Sequence, residues 1–198
     1  MERISAILLA AGESTRMGFL KPLLDWHGVP LVGYQIRSLW DGGVSEIVVV
    51  VGHGHADVTP YVEAEGAKWV INPNYLDGKT TSIKVGLHAV SRHATGFLLL
   101  SVDQPRPPSV VKAVLDSHLE RGAAVTSPRH KRRNGHPIVF SWLLRPELEA
   151  ITEEKQGLRE VFRAHRDDVN EAPVEDPIAV LDLNTPAEYE AARMKYDA

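Results

Sequence analysis

The chain has 198 residues, 43 % of them hydrophobic and 24 % charged, and a formal net charge of −4. That is ordinary for a globular protein long enough to bury a core without staples, and the acidic balance gives no general support for a nucleic-acid partner. There is no cysteine, which excludes a disulfide framework, a thiolate metal site and a thiol nucleophile. No apolar run approaches the roughly 18 residues of a membrane span, and Met1-Glu2-Arg3 leads into a run too short for a signal-peptide core, so a cytoplasmic protein without a membrane partner is expected.

Apolar, β-branched runs alternate with helical patterns. This rhythm predicts one α/β domain over residues 1–198, with a mostly parallel sheet covered by helices on both faces as a Rossmann-like three-layer sandwich. Strands are expected at Ile4–Ala10, Glu46–Val51, Lys68–Ile71, Phe97–Val102, Ala123–Thr126, Pro137–Phe140 and Ala179–Leu183. Ile47 to Val51 is almost continuously apolar, as in a strand buried on both faces. A helix begins at Pro30, carries Val32, Ile36, Leu39 and Trp40 on one stripe, and stops at Gly42-Gly43. A second presents Ile83, Leu87 and Val90 after the candidate caps Thr80, Thr81 and Ser82; a third presents Val111, Val114 and Leu115. The last opens on a capping box, Thr185-Pro186-Ala187-Glu188. Trp26, Trp40, Trp69 and Trp142 are expected to pack, and His53 and His55 to lie in a loop.

The first strand runs into Ala10-Ala11-Gly12-Glu13-Ser14-Thr15-Arg16-Met17-Gly18-Phe19-Leu20-Lys21-Pro22. Small residues let backbone N–H groups approach an anion, while Arg16 and Lys21 supply a fork and a point charge for a triphosphate. A Walker loop needs four residues between its glycines and a lysine directly after. Here five separate Gly12 from Gly18, and Lys21 comes three later. A dinucleotide fingerprint would end the second strand on an acid, but that strand ends Val51-Gly52-His53. A plain βα turn is the bland alternative.

The pattern Leu9-Ala10-Ala11-Gly12-x-Ser14-x-Arg16-Met17-Gly18-x-x-Lys21 resembles the signature of the nucleotidyltransferases that attach CMP or GMP to molybdopterin. It is most similar to the molybdenum cofactor cytidylyltransferase branch, where Ala stands at the position of Ala11 and guanylyltransferase relatives carry Gly. The resemblance implies a nucleotide-diphospho-sugar-transferase-like fold, with Leu9, Ala10, Ala11, Gly12, Ser14, Arg16 and Lys21 on the nucleotide.

Asp103, just past the strand Phe97–Val102, stands where open α/β sheets bind ligands, and one or two carboxylates suffice for Mg²⁺. Asp182 and Asn184 alternate in an extended stretch and so share a face. The resembled family has Gly-Asp-Met-Pro and Asp-x-Asp-Thr-Pro at these places. Here Val102 and Gln104 flank Asp103, and Asn184 replaces the second acid, keeping an oxygen but not its charge. Asp103 also suits a turn cap before Pro105, and Asn184 an ordinary turn.

Asn72-Pro73-Asn74-Tyr75-x-x-Gly78-Lys79-Thr80-Thr81-Ser82 is a polar loop opening a helix, with N–H groups and hydroxyls that suit a base edge and ribose. The resemblance points to the same use, through Asn74, Gly78, Thr81 and Ser82. Arg129 to Arg133 is by itself a solvated basic run. Its tail, Gly135-His136-Pro137-Ile138, is similar to the family's acceptor-side motif, which assigns Arg133 to an acceptor phosphate and Gly135, His136 and Pro137 to the pterin pocket.

The resemblance thus implies a Mg²⁺-dependent enzyme that joins CTP (or another NTP) to a molybdopterin-type acceptor, with a molybdenum hydroxylase apoenzyme as a downstream partner. Arg16, Lys21 and Asp103 would carry catalysis. A related transferase with another phosphorylated acceptor, or a non-catalytic nucleotide-binding or chaperone module, would share the loop.

Overall fold

The computed structural model describes residues 3–196. Strand β1 (Ile4–Ala10) is central and buried along its whole length. A small hairpin, β2 (Asp25–Trp26) with β3 (Val29–Pro30), precedes α1 (Leu31–Gly42). There follow β4 (Glu46–Val51), α2 (His55–Ala64), β5 (Lys68–Ile71), α3 (Lys79–Ala89), β6 (Gly96–Ser101) and α4 (Pro108–Arg121). The second half holds β7 (Val125–His130), β8 (Arg133–Asn134), β9 (Ile138–Ser141), α5 (Arg145–Ala150), α6 (Leu158–Ala164), β10 (Val169–Pro173) and α7 (Pro186–Tyr196).

The sheet order is β10-β7-β9-β6-β1-β4-β5, with β8 paired to β7. All neighbours on that path run parallel except at β9, which is antiparallel to both β6 and β7. The period of two in β1 divides the core. Ala6, Leu8 and Ala10 join α1, α2, α4 and α7 on one face, while Ile7 and Leu9 join α3, α5 and α6 on the other. The result is the expected three-layer, mostly parallel α/β arrangement. No helix among the described residues is long and apolar enough to cross a membrane.

Several local expectations need correction. Ala179–Leu183 is not a strand: Asp176 accepts from Ile178 N–H at 2.9 Å and, with Pro177, winds Pro177–Val180 into a 3-10 turn. The last strand is instead β10, whose sequence Val-Asn-Glu-Ala-Pro carries little apolar signal. Pro30 precedes α1 in an extended conformation (φ −56°, ψ 137°). Thr80, Thr81 and Ser82 lie inside α3, and Glu153 caps it by accepting from Thr80 N–H at 2.7 Å. His55 opens α2 and is not in a loop. Trp26 is fully buried, whereas Trp40 and Trp69 are exposed and bond Glu65 and Glu63 through their indole N–H groups.

Gly43, at φ 102°, ends α1 as expected, its N–H turning back to Trp40. The capping box of α7 also forms, Glu188 accepting from Asn184 N–H at 3.0 Å and Thr185 N–H at 2.9 Å.

Candidate active site

The carboxyl ends of β1 and β6 open onto a cavity of about 450 Å³, large enough for a nucleotide. The loop after β1 forms one wall. It turns at Ser14, whose φ of 57° is left-handed, and Ser14 O accepts from Met17 N–H at 2.9 Å and Gly18 N–H at 3.2 Å. Ser14 Oγ accepts from Lys21 N–H at 3.1 Å, while the Met17 side chain enters the core and pins the loop. Leu9, Ala10, Ala11, Gly12, Ser14, Arg16 and Lys21 all line the cavity, with Arg16 exposed.

The opposite wall carries the acids. Leu183 N–H donates to Asp103 O at 2.8 Å, stitching the segment after β6 to the segment before α7. Asp103, Asp182 and Asn184 consequently line the same cavity. Lys21 Nζ crosses to Asp103 Oδ2 at 2.7 Å and to Asn184 Oδ1 at 3.4 Å. The cation that the loop was expected to offer to phosphate therefore rests on the carboxylate expected to hold a metal.

Beneath these groups lies a polar network. Gln104 is buried; its Oε1 accepts from Ser101 N–H at 3.2 Å, and its Nε2 donates to Asp182 Oδ1 at 2.8 Å and His136 Nδ1 at 3.0 Å. With Nδ1 accepting, a neutral His136 carries its proton on Nε2. Arg106 is fully buried, donating from Nε to His136 O at 2.8 Å and from Nη1 to Pro105 O at 2.8 Å and Leu181 O at 2.9 Å. Burial pulls its pKa down to about 10 against Asp182 and Asp103, so it remains a cation at neutral pH. Gln35 of α1 closes the network, donating to Gln104 O at 2.5 Å and accepting from Arg106 N–H at 3.2 Å.

Burial, with Lys79 and Arg106 adding to it, pushes His136 from 6.5 down to about 3. The unfolded ring takes a proton near 6.5 and the folded one near 3, so the unfolded chain binds more protons between those values. Stability then falls as pH falls through that window, by up to about 1.4 kcal/mol per pH unit from this group. Urea unfolding should show His136→Asn losing less stability than the wild type between pH 7 and pH 5; equal losses would mean the ring is not held neutral.

The other expected residues divide. Gly78 and Ser82 line the cavity; Asn74 and Thr81 do not. Asn74 forms a turn on Asn72 Oδ1, and Thr81 Oγ1 donates to Asn74 O at 3.0 Å and Gly78 O at 2.8 Å, so both shape the segment. Gly135, His136 and Pro137 lie behind Gln104, outside the cavity lining. A Cβ on Gly135 would fall 1.9 Å from Ala179 O, and the His136-Pro137 bond is cis. Arg133 reaches a second cavity of about 390 Å³, which shares Asp182 and Asn184 with the first.

Sequence reasoning missed Tyr75, Lys79, Ser101 and Gln104 in the main cavity, and Arg106 beneath it. Lys79 and Gln104 adjoin the candidates Gly78 and Asp103; nothing in the sequence marks a proline-flanked Arg106 as buried.

The family model of the MobA-like NTP transferase domain matches residues 6–169. The chain is 31 % identical to the nicotine blue oxidoreductase of Paenarthrobacter nicotinovorans over 168 residues, 81 % of each chain. It is 27 % identical to the molybdenum cofactor cytidylyltransferase of Escherichia coli K12 over 203 aligned positions, covering 99 % of this chain and 98 % of the other. The crystal structure of Rv0371c from Mycobacterium tuberculosis H37Rv superposes with a TM-score of 0.82 at 26 % identity, over 96 % of this chain and 97 % of that one. With the loop after β1 and the facing acids on one cavity, and the family model spanning most of the sheet, the chain belongs to the MobA-like NTP transferase family of nucleotidyltransferases.

Proposed function

We propose that this protein transfers CMP from CTP to molybdopterin, releasing pyrophosphate and forming the cytosine dinucleotide cofactor. The whole of residues 1–198 would act as one cytoplasmic nucleotidyltransferase domain whose product passes to a molybdenum hydroxylase apoenzyme. The observation that carries this reading is the meeting of the loop lysine with the acid wall, Lys21 Nζ standing 2.7 Å from Asp103 and 3.4 Å from Asn184 in one cavity. The similarity to a molybdenum cofactor cytidylyltransferase along 99 % of the chain supports the choice of substrates.

A terminal phosphate oxygen of the acceptor attacks the α-phosphorus, and the bond to the β-phosphate breaks with its electron pair leaving on pyrophosphate. Such an oxygen is already ionised near neutral pH, so alignment and charge neutralisation do the work and no general base is required. Leu9 to Ser14 would seat the triphosphate, with Arg16 and Lys21 drawing charge from it; Asn74, Gly78, Thr81 and Ser82 would define the base and ribose site. Arg133, Gly135, His136 and Pro137 would shape the acceptor side, the last three from behind Gln104.

The donor set suits Mg²⁺: two carboxylates, Asp103 and Asp182, and the amide oxygen of Asn184 are hard ligands that leave places for phosphate and water oxygens. A bound Mg²⁺ would neutralise phosphate charge. Lys21 would then leave Asp103 for the triphosphate, since one carboxylate serves the ammonium in the resting state.

Pyrophosphate release from CTP, Mg²⁺ and molybdopterin tests the proposal. Release only with another phosphorylated acceptor would move the chain to a related transferase. No release with any acceptor would sink the transferase reading and leave a binding module or the oxidoreductase chemistry named for one relative. In thermal shift with saturating ligand, a tenfold preference for CTP over GTP corresponds to about 1.4 kcal/mol of extra stabilisation; equal shifts would contradict the choice of base.

A further inference from the structure

Lys79 opens α3 beside Gly78, yet its side chain reaches over the cavity floor, where Nζ donates to Ser101 Oγ at 2.7 Å. Ser101 ends β6, and β6 lies between β1, which delivers the glycine-rich loop, and β9, which His136-Pro137 enters. The ammonium therefore stands on the line dividing the nucleotide side from the acceptor side. Lys79 lines the cavity and is exposed as a residue, but protein encloses most of its ammonium. That enclosure lowers its pKa, and Asp103, Asp182 and Glu153 act against the lowering.

We infer that Lys79 is a catalytic cation that sits between the two phosphates the reaction must join, the α-phosphate of the nucleotide and the terminal phosphate of the acceptor. This rests on the transfer reaction proposed above. Two anions have to approach to bonding distance, and a fixed positive charge between them offsets their repulsion in a partly desolvated site. Lys21 and Arg16 lie toward the loop, where the leaving pyrophosphate would gather charge. Lys79 keeps its proton throughout: the new bond forms from the acceptor oxygen to the α-phosphorus, and the electron pair of the broken bond leaves with pyrophosphate.

The test compares wild type with Lys79→Gln and Lys79→Arg. Turnover of Lys79→Gln with CTP and molybdopterin should fall about 100-fold or more. Its Kd for CTP should stay within about threefold, and Lys79→Arg should regain part of the rate because it restores the charge. Turnover within about threefold of wild type would overturn the inference, as would a loss of CTP affinity matching the loss of rate. Thermal unfolding checks that the variants fold; if Lys79→Gln does not, Lys79→Arg is read alone, and a rate loss wholly explained by its CTP affinity overturns the inference.

A wild type that turns over no acceptor would sink the earlier reading by itself. Lys79 is then tested by titrating inorganic phosphate into the CTP-loaded protein. Binding about tenfold weaker in Lys79→Gln, or about 1.4 kcal/mol, supports a second phosphate site there; equal binding in both refutes it.

Discussion

Asp103→Ala should lower pyrophosphate release by about 100- to 1000-fold while the protein stays folded. The fold survives because the tie between the two acidic segments uses the backbone oxygen of Asp103, which accepts from Leu183 N–H at 2.8 Å. The side chain is itself partly exposed, so its loss leaves no core void. The same substitution frees the Lys21 ammonium from its 2.7 Å partner. In EDTA, CTP should thus bind the variant at least as tightly as it binds the wild type, a result easily read by calorimetry. Rate and metal-free affinity then move in opposite directions. Near-wild-type turnover would remove Asp103 from the metal site, and weakened binding in EDTA would contradict the ion-pair argument.

Arg106→Ala should have the largest effect on stability, about 3–5 kcal/mol, since it empties side-chain volume from the interior and strips buried carbonyls of their donors. For a chain of this length that corresponds to a fall in Tm on the order of 10 °C. The oxygens it holds belong to Pro105, His136 and Leu181, which adjoin Gln104, the cis peptide and Asp182. The loss therefore reaches the site as well as the core. Arg106→Met keeps most of the volume, and the difference between the two variants in urea unfolding separates packing from hydrogen bonding. A loss below about 1 kcal/mol in Arg106→Ala would show that those carbonyls find other partners.

The central sheet was legible because its strands are buried on both faces. β1 and β4 have the expected limits, Ile4–Ala10 and Glu46–Val51, since a parallel strand between two helical layers reads as an unbroken apolar run; the exposed edge strand β5 also has its expected limits, Lys68–Ile71, on its short apolar core Trp69-Val70-Ile71. At the sheet edge that signal fades. β10 alternates weakly and ends in Pro173, whereas Ala179–Leu183 looks like a strand but is governed by the cap at Asp176. Helix α2 carries no readable apolar stripe, because Val58 and Val62 alone are buried in it and Pro60 sits inside it.

The site divides in the same way. The loop from Leu9 to Lys21 is contiguous, so spacing exposes it, and Asp103 follows a strand whose end could be placed. Gln104 and Arg106 owe their roles to partners far along the chain, such as Asp182 and Leu181, and no local pattern records them. Strand alternation pairs Asp182 with Asn184 for the wrong reason. The backbone there has no regular structure, and they meet the cavity because of the tie to Asp103.

The reversed direction of β9 has a consequence for how such a protein can change. Its neighbours send their exits toward the cavity, but β9 sends its entrance, so the hairpin from Arg129 to Asn134 arrives at the same rim from the opposite sense. Of that turn Arg133 lines the second cavity and none of its residues lines the main one, so its length and charge can be rewritten without disturbing the strand ends around the main cavity. On the proposed reaction, exchanging that hairpin alone should change which acceptor supports pyrophosphate release while the nucleotide preference in thermal shift is inherited unchanged.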